Sequence, residues 1–133
     1  MKLIVERTKK LAGSVTAPPS KSHTHRALMI ASLADGTSTI RNPLMSGDCI
    51  ATIEACRQIG ASIVEGEGLR IDGVAGKPQT PEKEIDVISS GTTIRFMAAV
   101  AALCDGTTQL TGDKSIRARP FGPLLRSIAE LGA

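Results

Sequence analysis

Leu33-Ala34-Asp35-Gly36-Thr37-Ser38-Thr39-Ile40 returns about seventy residues later as Leu103-Cys104-Asp105-Gly106-Thr107-Thr108-Gln109-Leu110. Self-similarity at a fixed period means one structural unit built twice, so this pair of octets decides how the chain is read. Each octet follows a nearly all-apolar stretch of helical character. Further on, Ile53-Glu54-Ala55-Cys56-Arg57-Gln58-Ile59-Gly60-Ala61 is echoed by Leu125-Arg126-Ser127-Ile128-Ala129-Glu130-Leu131-Gly132-Ala133 at nearly the same period.

Each copy spells a buried helix, an Asp-Gly turn, a short Thr-rich strand, a loop, and an amphipathic helix ended by Gly. In the second copy Phe121, Leu124, Leu125, Ile128 and Leu131 fall on one helix face, with Pro120 suited to the first turn. The matching stripe of the first copy is Ile50, Ile53, Cys56 and Ile59. The first helix of each copy, 27–34 and 96–104, is apolar nearly all round, a pattern expected inside a layered structure rather than on its surface. After the first copy, residues 62–72 predict two short strands around a Gly-rich turn. The second copy stops at Ala133, before any such hairpin, which leads to the expectation that the chain is a fragment of a longer protein. Apolar faces such as Leu124, Leu125 and Ile128 would then lack their cover, predicting marginal stability or self-association.

At 133 residues the chain has the length of one domain. Hydrophobic residues make up 41% and charged residues 22%, a globular rather than disordered balance. The net charge is +3 with dispersed basic residues, Trp and Tyr are absent, and only Phe96 and Phe121 are aromatic. That argues against single-strand nucleic-acid binding, which stacks bases on aromatic side chains along a basic groove. No apolar run reaches the roughly 20 residues that span a bilayer, and the start is charged again too soon for a secretory segment. Cys49, Cys56 and Cys104 lack metal-ligand spacing and sit in apolar helical patterns, so they are expected to be buried reduced thiols of a cytoplasmic protein.

Three polar clusters carry the chemistry. Pro18-Pro19-Ser20-Lys21-Ser22-His23-Thr24-His25-Arg26 precedes the first apolar helix, and Ser89-Ser90-Gly91-Thr92-Thr93-Ile94-Arg95 occupies the same place in the second copy. Hydroxyls before a helix can cap it, and the unpaired amides there receive phosphate or carboxylate. Lys21, Arg26 and Arg95 add full charges in matched context, and Gly91 lets the backbone approach a ligand closely. The third cluster is the loop Asp113-Lys114-Ser115-Ile116-Arg117-Ala118-Arg119-Pro120, with three basic residues in six positions. Asp48 opens the amphipathic helix of the first copy, where capping is an adequate role. His23 and His25 lack the partners of a metal site or a catalytic triad. No GxxxxGK[ST] loop occurs. The residues by themselves point to binding of a small polyanion, and the helix starts lead to the expectation that it is phosphorylated.

Pro19-Ser20-Lys21-Ser22 with Arg26, then Ser90-Gly91-Thr92-Thr93-Ile94-Arg95, then Arg117-Ala118-Arg119-Pro120, resemble in order and spacing the N-terminal part of the 5-enolpyruvylshikimate-3-phosphate synthase family. The resemblance spans essentially the whole chain. It implies a mixed α/β (α+β) fold of repeated βαβαββ units with buried helices, here truncated after about two units, at 20–88 and 89–133. Residues 1–15 would belong with a second domain, and residues 16–133 would form part of an N-terminal one. It implies a cytoplasmic enzyme, monomeric in its full length, that moves the enolpyruvyl group of phosphoenolpyruvate onto the 5-hydroxyl of shikimate 3-phosphate without a cofactor or metal. Lys21 would lie between both substrates, Ser22 and Arg26 would hold shikimate 3-phosphate, and Gly91 and Arg119 would face phosphoenolpyruvate. Thr92 would shape that pocket with Arg95 nearby, and Asp48 would support the cleft. The family's acid and base would lie beyond position 133, so the chain alone should not turn over.

The chain departs from the family pattern at His25, where Asn is common, at Ser89-Ser90 in place of Asn-Ala, and at Phe96 in place of Pro. These changes bear on sensitivity to inhibitors that mimic phosphoenolpyruvate. The related UDP-N-acetylglucosamine enolpyruvyltransferases typically carry a reactive cysteine where this chain has Lys114, and lack the Ser-Lys-Ser arrangement. A non-catalytic anion-binding module is the remaining alternative.

Overall fold

The computed structural model describes residues 2–133. Residues 2–20 form no helix or strand. Then follow α1 (Lys21–Leu33), β1 (Thr37–Arg41), α2 (Gly47–Gln58), β2 (Ser62–Glu65), β3 (Gly68–Asp72), β4 (Ile85–Asp86), α3 (Gly91–Ala101), β5 (Leu110–Thr111), α4 (Lys114–Arg117) and α5 (Gly122–Glu130).

The first copy of the repeat makes a three-stranded antiparallel sheet in the order β1-β3-β2. Thr37 pairs with Asp72 and Arg41 with Gly68 on one side of β3, and Ser62 pairs with Asp72 on the other. The expected hairpin at 62–72 is present. Side-chain alternation turns Leu69 and Ile71 of β3 inward together with Ile63, where they meet Leu28, Ile53 and Ile59 in one core. Gly73 follows β3 where a Cβ would collide with the carbonyl oxygens of Ala31 and Ala34, so only glycine lets the strand leave beneath the end of α1.

In the second copy β4 and β5 pair in parallel, Ile85 with Leu110 and Asp86 with Thr111, joined through α3 as a parallel crossover requires. Ile85 and Val87 are fully buried beneath the helices. Helices α1, α2 and α3 pack against one another with their N-termini at one end of the molecule.

Both apolar helices start earlier than their hydropathy predicts, at Lys21 rather than Ala27 and at Gly91 rather than Phe96. Ser20 and Ser90 are their N-caps, each accepting from the amide three residues on, so the hydroxyl-rich clusters lie on the first turns rather than before them. Nor are these helices enclosed on all sides. Ile30 is 70% exposed and Ala99 is exposed, and with Met29, Leu33, Phe96 and Val100 they border an open apolar groove. α3 ends at Ala101, which leaves Cys104 in the following turn and only half-buried, whereas Cys49 and Cys56 are buried free thiols as expected. Burial pushes the Cys56 thiol up to about 11, where it stays protonated. α5 begins after Phe121 with Pro123, not Pro120, in its first turn, and none of its residues is fully buried.

Candidate functional site

The three helix starts enclose a hollow of about 480 Å³ lined by Lys21, Arg26, Asp48, Ser89, Gly91, Thr92, Arg95, Phe96 and Arg119. Each helix is capped by a serine whose hydroxyl accepts from the third helical amide: Ser20 from His23, Ser46 from Cys49 and Ser90 from Thr93. The first two amides of each helix have no intrahelical carbonyl to bond, and the positive ends of three helix dipoles meet at one place.

Four full positive charges stand around those amides. Lys21 pairs with Asp48 at 2.8 Å, and the Asp48 carboxylate holds the ammonium above its ordinary pKa through that hydrogen bond and its charge. Arg26 donates through Nη1 to the Ser22 carbonyl at 3.0 Å, and Arg95 through Nη1 to the Gly91 carbonyl at 2.8 Å. Each arginine thus folds back along its own first turn, the same arrangement in both copies. Arg95 is also stacked over the Phe121 ring, 5.2 Å from its centroid, which ties the start of α5 to the hollow. The Arg119 guanidinium reaches across to Gly91, where an added Cβ would collide with it. Four cations against one carboxylate make a receptor for anions carrying more than one charge.

Of the residues singled out from sequence, Lys21, Arg26, Asp48, Gly91, Thr92, Arg95 and Arg119 come together here. Ser22 does not line the hollow; it is exposed on α1 and contributes its carbonyl to Arg26. Asp48 is not a cap, since Ser46 fills that role, and its carboxylate faces Lys21 instead. The third cluster is not a loop throughout. Asp113 caps the turn α4, its carboxyl held below the usual range first by the Ser115 hydroxyl and then by the Ile116 amide. Arg117 bonds the Gly112 carbonyl at 2.7 Å, and of that cluster's basic residues only Arg119 reaches the hollow.

Beneath the hollow lies a polar layer that sequence reasoning missed. His25 Nδ1 stands 2.7 Å from Thr52 Oγ1, which stands 2.7 Å from Thr93 Oγ1, which stands 2.6 Å from Ser90 Oγ. All four side chains are essentially inaccessible to water. Thr52 gave no signal of this, because it lies off the Ile50, Ile53, Cys56, Ile59 stripe read from the sequence, whereas the structure turns Cys49, Thr52, Ile53 and Cys56 inward and leaves Ile50 exposed. Burial is the largest influence on His25 and lowers its pKa, with Lys21 and Arg26 adding to the effect and Asp48 opposing it. Among the described residues no cluster of His, Cys, Asp and Glu is placed to hold a metal, and no helix is long and apolar enough to cross a membrane.

Residues 5–133 match the family model described as EPSP synthase (3-phosphoshikimate 1-carboxyvinyltransferase). A 3-phosphoshikimate 1-carboxyvinyltransferase of Methanothrix thermoacetophila is 56% identical over 124 residues, covering 92% of this chain and 29% of that protein. The one from Methanothermobacter thermautotrophicus is 47% identical over 132 residues, 99% of this chain and 32% of its own length. The solved EPSP synthase of Acinetobacter baumannii superimposes with a TM-score of 0.85 at 29% identity, over 91% of this chain and 28% of that one. The chain therefore spans between 28% and 32% of the length of these relatives.

Proposed function

This chain belongs to the EPSP synthase family, and from that premise we propose that it supplies one wall of a site where the enolpyruvyl group of phosphoenolpyruvate passes to the 5-hydroxyl of shikimate 3-phosphate. A carbon–oxygen bond to the 5-oxygen replaces the one to phosphate, and the hydroxyl proton is carried off with the phosphate released. The observation that carries the reading is the convergence of Lys21, Arg26, Arg95 and Arg119 with three helix starts on one hollow. Both substrates are polyanions that repel each other, and holding them side by side needs fixed positive charge and oriented amides in place before they arrive.

Lys21 lies between the two substrates, with Asp48 keeping its ammonium charged and directed. Arg26 holds shikimate 3-phosphate, and Ser22, outside the hollow on the exposed first turn of α1, reaches it from the rim. Gly91 and Arg119 face phosphoenolpyruvate, Thr92 shapes that pocket, and Arg95 stands beside it. The acid and base come from residues outside these 133, so the chain by itself binds but does not turn over. Residues 1–15 belong with the remainder of a cytoplasmic enzyme that works as a monomer and needs no metal or cofactor.

Calorimetric titration with shikimate 3-phosphate at low and moderate salt, on this chain and on the Lys21→Ala, Arg26→Ala double variant, tests the reading. Binding that weakens with salt and disappears in the double variant is the expected result. Equal binding by both proteins removes these two residues from the site and overturns it.

A further inference from the structure

The buried layer under the hollow does more than fill space. Thr52 Oγ1 has one proton and two lone pairs, and it meets three partners: His25 Nδ1 and Thr93 Oγ1, each at 2.7 Å, and the Asp48 carbonyl at 3.2 Å. Two ring tautomers are compatible with these distances, and the acceptors decide between them. With Nδ1 bare, Thr52 would donate to the ring and Nε2–H would be left pointing at the Cys49 sulfur at 3.9 Å, a poor acceptor. With Nδ1–H every proton meets an oxygen, the Asp48 carbonyl lying 3.2 Å from Thr52 and 3.4 Å from Thr93. Thr52 donates to the Asp48 carbonyl and accepts from His25 Nδ1–H and from Thr93. Thr93 accepts from Ser90, whose own oxygen accepts the Thr93 amide at 3.2 Å. The bare Nε2 of His25 then faces the Cys49 thiol at 3.9 Å, within reach of a weak S–H donor.

These four side chains come from α1, α2, α3 and the N-cap of α3, and each stands next to a residue of the hollow: His25 beside Arg26, Thr52 on the Asp48 carbonyl, Ser90 and Thr93 on either side of Gly91 and Thr92. We propose that His25, Thr52, Thr93 and Ser90 form a single buried hydrogen-bond chain that fixes the three helix starts against one another, with neutral His25, protonated on Nδ1, as a positioning residue for the anion hollow. The anion role rests on the function proposed above; the chain of bonds does not.

The imidazole must be neutral for this to hold. A second ring proton would point at Cys49 sulfur, a poor acceptor, in a place water does not reach. The charged groups that act on His25 are Lys21 and Arg26 on its own helix and Asp48 on α2; α3 brings the Thr93 hydroxyl into the layer, while its one charged residue at this end, Arg95, folds back onto the Gly91 carbonyl. The one carboxylate among them is engaged by Lys21 at 2.8 Å, so an imidazolium would find no free counter-charge.

Amide hydrogen exchange on the chain, with Thr52→Val and Thr52→Ser, separates coupling from general loosening. Thr52→Val is expected to lower protection about tenfold at Thr93 and Ile94, on a different helix from the substitution, as loss of one buried hydrogen bond implies. Protection at Leu69 and Ile71 in β3 should hold, and Thr52→Ser should restore the α3 amides. Uniform loss across the molecule, or loss confined to α2, overturns the proposal. Nitrogen chemical shifts of His25 in the unsubstituted protein at pH 7 give a measurement that needs no variant: an Nε2–H tautomer or a cation overturns it. Sulfate, which does not titrate near neutrality, is then added while the Gly91 and Thr92 amides are followed. Absence of a response with the Thr93 coupling intact counts against the anion reading alone.

Discussion

The two copies of the repeat share a local grammar but not a fate. In the first, α1 and α2 lie over a three-stranded sheet whose central strand buries Leu69 and Ile71 completely. In the second, α3 has a two-residue parallel pair beneath it, and α5 buries none of its residues although it carries the more regular apolar stripe. Amphipathicity is thus a capacity for burial rather than burial itself, since the stabilisation comes from area removed from water and requires a surface on the other side.

The largest expected difference between the copies is in their apolar residues. Ile71→Ala should cost about 3–4 kcal/mol, as a fully buried isoleucine implies, whereas Ile128→Ala in half-buried α5 should cost about 1 kcal/mol. Denaturant unfolding of the two variants gives both numbers, and equal costs would erase the contrast. Gly73→Ala should follow at about 2 kcal/mol, because its Cβ would push against backbone oxygens that cannot swing away. Gly91→Ala is the matched case in the second copy. There the obstacle is the tip of the Arg119 side chain, so stability should change by less than about 1 kcal/mol while anion affinity falls several-fold as the guanidinium is displaced. Thermal melts read alongside a phosphoenolpyruvate titration distinguish the two glycines.

A smaller effect is expected from pH. His25 has a lowered pKa when folded, so the unfolded chain binds the proton more readily. Its contribution is fully present above the ordinary histidine value and is lost as pH falls through the folded one. Melting temperature should therefore decline on acidification below about 6.5, and His25→Asn should flatten that part of the profile. Least of all, Leu125→Ser should leave stability within about 0.5 kcal/mol, since this side chain is 55% exposed, while lowering any tendency to self-associate seen by sedimentation.

Much of the hollow was legible because it is written locally. Ser20 and Ser90 announce helix starts, and Lys21, Arg26 and Arg95 follow at spacings that a helical turn brings to one end. Where the reading slipped, the cause was also local. Polar first turns hid the beginnings of α1 and α3, because hydropathy marks only the part of a helix that packs, and the capping serine rather than the first apolar residue sets its start. Asp48 looked like a cap from its position, yet Ser46 lies two residues earlier with the geometry to do it.

The sequence by itself determined the repeat, the order of its elements apart from β4 and the turn α4, the capping hydroxyls and the cationic character of the helix starts, and within each copy these depend on residues close together in the chain. Tertiary structure alone decided that Arg119 faces Gly91 and that Lys21 meets Asp48. It also decided that Thr52, Thr93 and His25 join in the dark beneath them. Those pairings span between 27 and 41 residues for His25–Thr52, Lys21–Asp48 and Thr52–Thr93, and they exist only because the packing of three helices over their strands brings distant first turns to one place.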